Sequence, residues 1–455
     1  MKKTFQDLLA ALSEKLPDIP FDVTFWDGQT KQYGNGKPVF TLGFHSKASA
    51  KRLLSKGSMG FGEEYVAGNI DVHGDFQKLV QIGVDPRFQN IKLSPLTKAS
   101  VLFTHIASLN TVRRAPANIT RHYDLGDDFY KCYLDKTMAY SCAYFRKATD
   151  TLEEAQEQKY EHICRKLQLR EGESLIDIGC GWGGMLIYAA RNYGITGVGC
   201  TISPNQARYA RDRIAAEGLD DKITILQEDY RNIGGQFDKF ASIGMFEHVG
   251  KEFIPLFMRK VRTLLKTQAI GLLHTIGKEK HTPLDPWTMK YIFPGGHIPA
   301  LDHIIKAMGK EKLVPVDIEN LRIHYAATLD EWGKRFEDNR HKIAEMFDEK
   351  LVRMWRLFLY GSAAAFRWGD IRLYQILFTN GLNNSIPWTR DHIYRPLPAP
   401  FGPCIAQQEN YQSACHFSPG QNPCLDTVRN TINEYGGTHK RRIGAYKKRM
   451  HEDVP

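Results

Sequence analysis

Apolar runs alternate with amphipathic stretches through the middle of this chain, from residue 174 to residue 275. Short apolar runs bounded by turn residues are typical of buried strands, and apolar positions three and four apart are typical of helices. The predicted elements are strand 174–178, helix 184–193, strand 195–200, helix 204–217, strand 222–227, strand 237–243, helix 251–266 and strand 269–275. Strands that alternate with helices in this way predict a parallel, doubly wound sheet.

Residues 1–100 form a separate region of short elements. Asp7 and Glu14 interrupt the apolar N-terminal stretch, which therefore predicts a short amphipathic helix rather than a signal peptide. Turn residues at Asp27-Gly28 and Gly34-Asn35-Gly36 separate the apolar runs that predict strands. The elements predicted here and just beyond are strands Phe21–Trp26 and Val39–Phe44 and helices at Ala48–Leu54, Phe61–Ala67 and 101–120.

The pattern becomes irregular after the strand 269–275. Residues 276–312 contain prolines and glycines that break the alternation, and we interpret them as an insertion over the mouth of an active site. Strand and helix resume beyond it, up to the strand Arg372–Phe378. After residue 392 prolines cluster, apolar periodicity fades and basic runs follow, which predicts a poorly structured tail of unassigned role. The predicted domains are 1–105, 106–392 and 393–455.

Composition narrows the choice of partners only slightly. The 455 residues carry a net charge of +10, which suits nucleic acid and anionic lipid equally, and no nucleic-acid-binding motif accompanies it. No apolar run is long enough to cross a membrane. Because the N-terminal stretch does not predict a signal peptide, we expect a cytoplasmic protein whose eight cysteines are reduced. The cysteines show no zinc-binding spacing, and no metal site is predicted.

The most informative stretch is Ser-Leu-Ile-Asp-Ile-Gly-Cys-Gly-Trp-Gly-Gly, residues 174–184. Glycines at a strand-to-helix turn, here Gly179, Gly181 and Gly183, let a ligand approach the backbone closely. The carboxylate of Asp177 would repel a pyrophosphate at the helix N-terminus, but it would attract a ligand with a cationic end. The pattern therefore favours S-adenosylmethionine (SAM) over NAD, and the alternative is a glycine-rich turn of some other α/β protein.

Further cofactor-binding candidates lie where the next two predicted strands end. The second strand ends without the acid that usually binds the ribose in class I SAM enzymes. Thr201 and Gln206 are the candidates for the ribose hydroxyls in its place. Asp229 and Tyr230 follow the third strand, where folds of this kind cover the adenine.

Candidates for the chemistry follow the fourth and fifth strands. Glu247 and His248 come directly after the fourth strand and His274 ends the fifth, at the sheet edge where ligands bind. A structural role for His274 is as compatible with the pattern as a catalytic one. The segment Tyr140–Phe145 is rich in hydroxyls and aromatic rings, which is as typical of core packing as of a ligand site.

Taken together, these segments resemble the cyclopropane fatty acid synthases, SAM-dependent enzymes that act on unsaturated acyl chains. The resemblance runs from about residue 25 to residue 392, and Gly60–Tyr65 and Gly68–Val72 resemble the lipid-engaging domain of the bacterial enzymes. The other matching stretches are Arg121–Gly126, Phe129-Tyr130, Tyr140–Cys142, Asp177–Gly183, Phe246–Gly250 and Tyr291–Gly296. The resemblance implies an α/β class I SAM-dependent methyltransferase, with a Rossmann-like, mainly parallel sheet and a small N-terminal α+β domain.

The resemblance also implies a reaction. The cis double bond of a phospholipid acyl chain would attack the SAM methyl group to give a carbocation, a bicarbonate ion would remove a proton, and a cyclopropane ring would close. Carried over by motif, the bicarbonate site would be formed by Cys142, Glu247, His274, Ile276 and Tyr325. Tyr140 and Ser141 would join the cofactor-binding residues. A weak, mobile base suits one proton transfer in an otherwise apolar pocket.

This chain departs from the family pattern at one position in particular. Ser362 stands in the helix before the last strand, where many members have a cysteine. A cysteine at that place is therefore not required as a nucleophile, and the difference could shift the preferred position along the acyl chain.

Several hypotheses about the function are compatible with the sequence. Within the family, the carbocation could be deprotonated or reduced to a methyl branch, or the methyl acceptor could be an amine. A lipid-binding protein with an inactive SAM fold is disfavoured by the intact Asp177, Gly179, Gly181, Glu247 and His274. A nucleic-acid methyltransferase is suggested by charge alone. The expected partners are membrane phospholipids at the inner face of the membrane, with no nucleic acid, and a homodimer is compatible with the sequence.

Overall fold

The computed structural model describes residues 2–85 and 125–394. The helix predicted at 101–120, the motif residues Arg121–Asp124 and residues 395–455 of the predicted tail lie outside the described residues, as does the boundary placed at residue 105. The division into three domains therefore stays a prediction.

The N-terminal region is a four-stranded sheet covered by helices. The strand order is β2-β1-β3-β4, in which β1 and β3 run parallel and the other two pairs are antiparallel. The elements are α1 Lys2–Lys15, β1 Phe21–Thr24, β2 Thr30–Tyr33, β3 Phe40–Phe44, α2 Lys47–Lys56, α3 Ser58–Val66, β4 Ile70–Gly74 and α4 Phe76–Val84. The helices and strands predicted within residues 2–85 are confirmed, and β2, β4 and α4 are additional.

The second sheet has seven strands in the order β10-β11-β9-β8-β5-β6-β7. Its strands are β5 Ser174–Ile178, β6 Thr196–Thr201, β7 Ile223–Gln227, β8 Phe237–Ile243, β9 Leu265–Lys278, β10 Leu313–Asn320 and β11 Ile371–Asn380. The pairs from β7 to β9 are parallel, and β11 is antiparallel to both of its neighbours. The predicted α/β class with a mainly parallel sheet is confirmed.

Helices cover both faces of this sheet and connect it to the N-terminal region. They are α5 Asp127–Lys131, α6 Leu152–Leu167, α7 Gly184–Tyr193, α8 Pro204–Ala216, α9 Ile254–Leu264, α10 Pro286–Tyr291, α11 Leu301–Lys310, α12 Arg322–Asp338, α13 Arg340–Met346, α14 Glu349–Trp368 and α15 Asp391–Tyr394. Helix α14 contacts α3 and α4. Its Arg353 donates hydrogen bonds to the Tyr65 and Ile70 carbonyls, at 2.6 and 2.5 Å, and to Asp71 at 3.0 Å.

The irregular insertion predicted at 276–312 is only partly correct. Strand β9 continues to Lys278 because its last residues pair with the start of β11, with Ile276 opposite Leu373. Helix α11 then provides the ordinary connection between β9 and β10 and buries Ile304 in the core. The prolines and glycines interrupt only the segment between β9 and α11, which contains the short helix α10.

Candidate active site

The glycine turn lies at the carboxyl end of β5, between its neighbours β6 and β8. Gly181 has φ +54°, and a β-carbon built on it would meet no atom within 4 Å. Gly179, at φ +84°, is needed instead for close packing, because a β-carbon there would overlap the side chain of Met245. Only Gly181 therefore leaves free space in the manner that a ligand against the backbone requires.

A cavity opens over this turn, and we call it the donor cavity. It is lined by nine of the ten predicted cofactor-binding residues: Tyr140, Ser141, Asp177, Gly179, Gly181, Thr201, Gln206, Asp229 and Tyr230. The tenth, Gly183, does not line it; its missing side chain makes room for Ala210 of α8, 3.3 Å from the position of a β-carbon. Side chains from the ends of β5, β6 and β7 thus meet at one edge of the sheet.

Asp177 is the buried acid of the donor cavity. Its side chain is 2% exposed, and its Oδ1 atom has no hydrogen-bond partner among the described residues. Burial raises the pKa of Asp177 to about 7, although the charge of Lys159 opposes the shift. A buried carboxylate without a partner is costly, so the site is suited to a ligand that brings a positive charge or a donor.

The other polar residues of the donor cavity have partners within the protein. The Thr201 hydroxyl donates to Gln206 Oε1 at 2.8 Å. Asp229 is half-buried, which alone would raise its pKa, but the hydrogen bonds that it accepts from Arg231 hold the pKa below its ordinary value. Asp229 is therefore ionised at neutral pH and can accept a hydrogen bond from a neutral ligand group.

The donor cavity is also lined by residues that the sequence analysis did not predict as cofactor ligands, among them Lys159, Trp182 and His248. Trp182 donates its indole N–H to Asp127 at 2.9 Å, which joins the glycine turn to α5. Burial lowers the pKa of His248 to about 4, so this imidazole is neutral at physiological pH. Lys159 could have been noticed as a charged residue on the apolar stripe of α6, between Ala155 and Ile163.

A second, larger cavity of about 1020 Å³ adjoins the first, and we call it the apolar cavity. Tyr140, Gly244 and His248 line both cavities. Its apolar wall combines side chains of the N-terminal region, such as Leu9 and Phe61, with side chains of the second region. Polar residues such as Lys280 and Asp285 gather along another part of the wall. The cavity is large and apolar enough for a long hydrocarbon chain.

Three of the five predicted catalytic residues, Glu247, Ile276 and Tyr325, line the apolar cavity. The Ile276 backbone N–H donates to Glu247 Oε1 at 2.6 Å, while Glu247 Oε2 is buried and accepts no hydrogen bond of ordinary geometry from the described residues. Burial raises the pKa of Glu247 to about 7, although the Ile276 N–H opposes the shift. Glu247 therefore lies close to half-protonation near neutral pH.

The other two predicted catalytic residues are Cys142 and His274. They line neither the donor cavity nor the apolar cavity, and both are buried. His274 Nδ1 lies 3.2 Å from the Gln375 side-chain nitrogen, and His274 Nε2 has no partner among the described residues. Burial holds the pKa of His274 well below its ordinary value, so the ring is neutral. Burial raises the pKa of Cys142, whose thiol lies 3.1 Å from the Ala143 carbonyl.

Ser362 occupies the place that the sequence predicted. It lies on α14, the helix before the last strand, and it lines the apolar cavity. The departure from the family pattern therefore falls on the wall of this cavity.

The chain matches the family described as "Mycolic acid cyclopropane synthetase" over residues 110–376, which is more than half of its length. Residues 8–89 match a domain of unknown function. The chain belongs to the cyclopropane synthetase family. The predicted resemblance is confirmed, and the chain is a SAM-dependent methyltransferase.

Individual relatives agree with this family. The chain is 40% identical to the cyclopropane-fatty-acyl-phospholipid synthase of Escherichia coli K12, over 74% of this chain and 87% of the relative. It is 36% identical to a probable fatty acid methyltransferase of Pseudomonas putida, over 85% of this chain and all of the relative. A solved structure of mycolic acid cyclopropane synthase CmaA1 complexed with SAH and CTAB gives a TM-score of 0.55 at 32% identity, covering 58% of this chain and 98% of the other.

Within residues 2–85 and 125–394, no helix is both long enough and apolar enough to cross a bilayer.

Proposed function

We propose that this enzyme transfers a methylene group from SAM to the cis double bond of unsaturated phospholipid acyl chains and forms a cyclopropane ring. The observation that carries the proposal is the meeting of two cavities at Tyr140, Gly244 and His248, with the buried Glu247 in the wall of the apolar cavity. The donor cavity has a buried acid and open glycine backbone, and the other cavity is large and mainly apolar. The E. coli relative, which is named for this reaction, adds to the support.

The donor cavity is suited to SAM by its buried acid and its open glycine backbone. When bound there, SAM supplies an electrophilic methyl group. Asp177 offers an unpaired carboxylate oxygen to the cationic end of the ligand, and Gly181 leaves its backbone open. Thr201 and Gln206 line the same cavity and offer hydroxyl and amide groups to the ribose, and Asp229 and Tyr230, which also line it, would cover the adenine.

The apolar cavity would hold the acyl chain with its double bond beside the junction. Apolar walls exclude water, which protects a carbocation on the chain from hydration. Tyr140 and Tyr325 line the cavity, and their aromatic rings would stabilise positive charge. Trp332 lies 5.3 Å from the Tyr140 ring and 6.1 Å from the Tyr325 ring and extends this aromatic surface.

Proton removal is assigned to a bicarbonate ion held by Glu247, with His274 and Tyr325 nearby. Glu247 Oε2 and His274 Nε2 are both buried without partners, and a small ion that can donate and accept would satisfy such atoms. The Gln375 side-chain nitrogen donates to His274 Nδ1, so the neutral ring carries its proton on Nε2, which would donate to the ion. The Ile276 N–H is already bonded to Glu247, so its contribution is to orient this carboxylate. Cys142 is a neutral thiol and needs no part as a nucleophile.

The alternative is the same methyl transfer with a methyl-branched product or another acceptor. It is favoured by the likeness to the P. putida relative, whose name specifies a fatty acid methyltransferase and no ring. Ser362 on the cavity wall is a further difference from many members of the family.

Mass spectrometry of lipids from a host that expresses the chain tests the proposal. We expect monounsaturated phospholipid chains to gain one CH2 and to lose the olefin, and a Glu247→Gln variant expressed at the same level to abolish the gain. Products that keep an olefin or carry a methyl branch would favour the alternative. Unchanged lipids, with SAM still bound by the purified protein, would refute lipid methylation.

A phospholipid substrate also implies a place of action. We infer that the enzyme associates peripherally with the inner face of the cytoplasmic membrane and needs no nucleic acid. Measurement of the molar mass in solution distinguishes a homodimer from a monomer.

A further inference from the structure

Lys159 is a buried cation in the wall of the donor cavity. Its side chain lies on α6 and the residue is 1% exposed. The ammonium donates a hydrogen bond to the Ser141 hydroxyl at 3.0 Å and lies 4.2 Å from the centre of the Tyr160 ring. Ser141 and Tyr160 line the same cavity.

The ammonium has more donors than the protein uses. A lysine has three N–H donors, and the described residues supply one hydrogen-bond acceptor, Ser141. Burial lowers the pKa of Lys159 to about 8, although nearby groups that include Asp135 and Asp177 oppose the shift. The group is thus mostly charged at pH 7, and a buried charge with unused donors is costly unless an anion binds it.

Lys159 contrasts with Lys166, which is also 1% exposed and lies two turns further along the same helix. Lys166 donates to Glu319 at 2.6 Å and does not line the donor cavity. The protein therefore supplies a carboxylate to one of these buried lysines. The other buried lysine, Lys159, lines the donor cavity instead.

We propose that Lys159 binds the α-carboxylate of the methionine part of SAM, while the unpaired Asp177 oxygen receives its α-ammonium. Two buried and opposite charges in one cavity complement an amino-acid zwitterion, which carries both charges on neighbouring atoms. The inference rests on the proposed assignment of the donor cavity to SAM. It makes the Lys159–Asp177 pair the feature that distinguishes SAM and S-adenosylhomocysteine from adenosine compounds without an amino-acid end.

Calorimetry with two ligands tests this role without turnover. S-adenosylhomocysteine has the amino-acid end, and 5′-methylthioadenosine keeps the adenosine and thioether but lacks it. In Lys159→Met we expect the affinity for S-adenosylhomocysteine to fall about ten- to a hundredfold, as for a lost charge-assisted hydrogen bond. The affinity for 5′-methylthioadenosine should stay within about twofold. Lys166→Met, the matched control, should leave the ratio of the two affinities unchanged.

Equal losses for both ligands, or none for S-adenosylhomocysteine, would overturn the inference. Should Lys159→Met not fold, the parent protein gives the answer with the decarboxylated amine analogue of S-adenosylhomocysteine. We expect it to bind at least about tenfold more weakly than S-adenosylhomocysteine, and equal binding would overturn the proposal. Gly181→Val tests the assignment of the donor cavity to SAM separately from the role of Lys159. If this variant binds S-adenosylhomocysteine normally, the assignment of the cavity itself fails.

Discussion

At the scale of single residues, Gly181 offers a direct test of the donor cavity. Its substitution by valine places a branched side chain in the open space above the turn, at a φ of +54° that costs about 1–2 kcal/mol for a residue with a β-carbon. We expect the variant to fold and to lose measurable binding of S-adenosylhomocysteine in calorimetry.

Gly218 provides the matched control, because it has φ +64° and open space beside it but does not line the donor cavity. Gly218→Val should have a similar cost in stability and bind the ligand normally. Near-normal binding by Gly181→Val would show that the site is misplaced.

Glu247 is the residue on which the proposed proton transfer depends. Glu247→Gln keeps the size of the side chain but removes its charge and makes it a donor. We expect turnover to fall at least about a hundredfold, as for a lost acid–base element, while affinity for S-adenosylhomocysteine stays within a few-fold. Added bicarbonate should restore part of the activity.

Glu252→Gln, an exposed change a few residues further along the same segment, should leave turnover unchanged. Parental turnover of the Glu247 variant in bicarbonate-depleted buffer would remove both Glu247 and bicarbonate from the mechanism.

At the scale of elements, α3 and α10 meet without space between them at Gly62. A β-carbon on Gly62 would overlap the indole of Trp287, which is buried and lines the apolar cavity. We expect Gly62→Ala to lower the free energy of unfolding by about 1–3 kcal/mol, as for overpacking, and to reduce lipid turnover through displacement of α10.

Urea denaturation, lipid turnover and S-adenosylhomocysteine affinity measure these effects separately, and the affinity should not change. Gly309→Ala in α11, where nothing lies within 4 Å, should be neutral or stabilising. A fully stable and active Gly62 variant would contradict this account of the contact.

Strand β10 is joined to α6 through Glu319, whose Oε2 lies 2.7 Å from His162 Nε2 and 2.6 Å from Lys166 Nζ. Burial alone would raise the pKa of Glu319, but these two partners lower it to about 2 from an ordinary 4.5. A carboxyl group with a depressed pKa stabilises the fold above its unfolded pKa, and this stabilisation is lost as the pH falls from about 4.5 towards 2.

We therefore expect Glu319→Gln to cost about 2–3 kcal/mol at pH 7, and the difference from the parent to shrink by about 1 kcal/mol at pH 3.5. Urea denaturation at the two pH values provides the measurement. Glu157→Gln, on the exposed face of α6, should have no effect on the free energy of unfolding at either pH. A constant difference between the parent and the Glu319 variant would disprove the ion-pair explanation.

At the scale of the whole molecule, net positive charge and an apolar cavity together predict attachment to an anionic membrane surface. The net charge is +10, and no helix within the described ranges can span a bilayer. Sedimentation with vesicles should show binding to anionic phospholipid that weakens as salt rises from low to physiological concentration and above. Equal binding to neutral and anionic vesicles at all salt concentrations would argue against this electrostatic attachment.

Much of the fold and part of the site are encoded in short stretches of sequence. Strand β5, the turn from Gly179 to Gly183 and helix α7 follow from an apolar run, an acid, glycines and a helical period that are adjacent in the chain. Because the ends of parallel strands meet at one sheet edge, the meeting of Asp177, Thr201 and Asp229 could also be predicted. The irregular segment was predicted too long, because the pairing of β9 with β11 involves residues far apart in sequence.

By itself, the sequence determined the family, the alternating architecture and the edge of the sheet where the site lies, since local periodicity and ordered motifs depend on neighbours along the chain. Only the tertiary structure decided which polar atoms are left without partners. It packs Gly183 against α8, buries Cys142 and His274 behind the cavity wall, and turns Lys159 towards the donor cavity. The physical reason is that burial, and with it the pKa of a buried acid, depends on packing between residues distant in sequence.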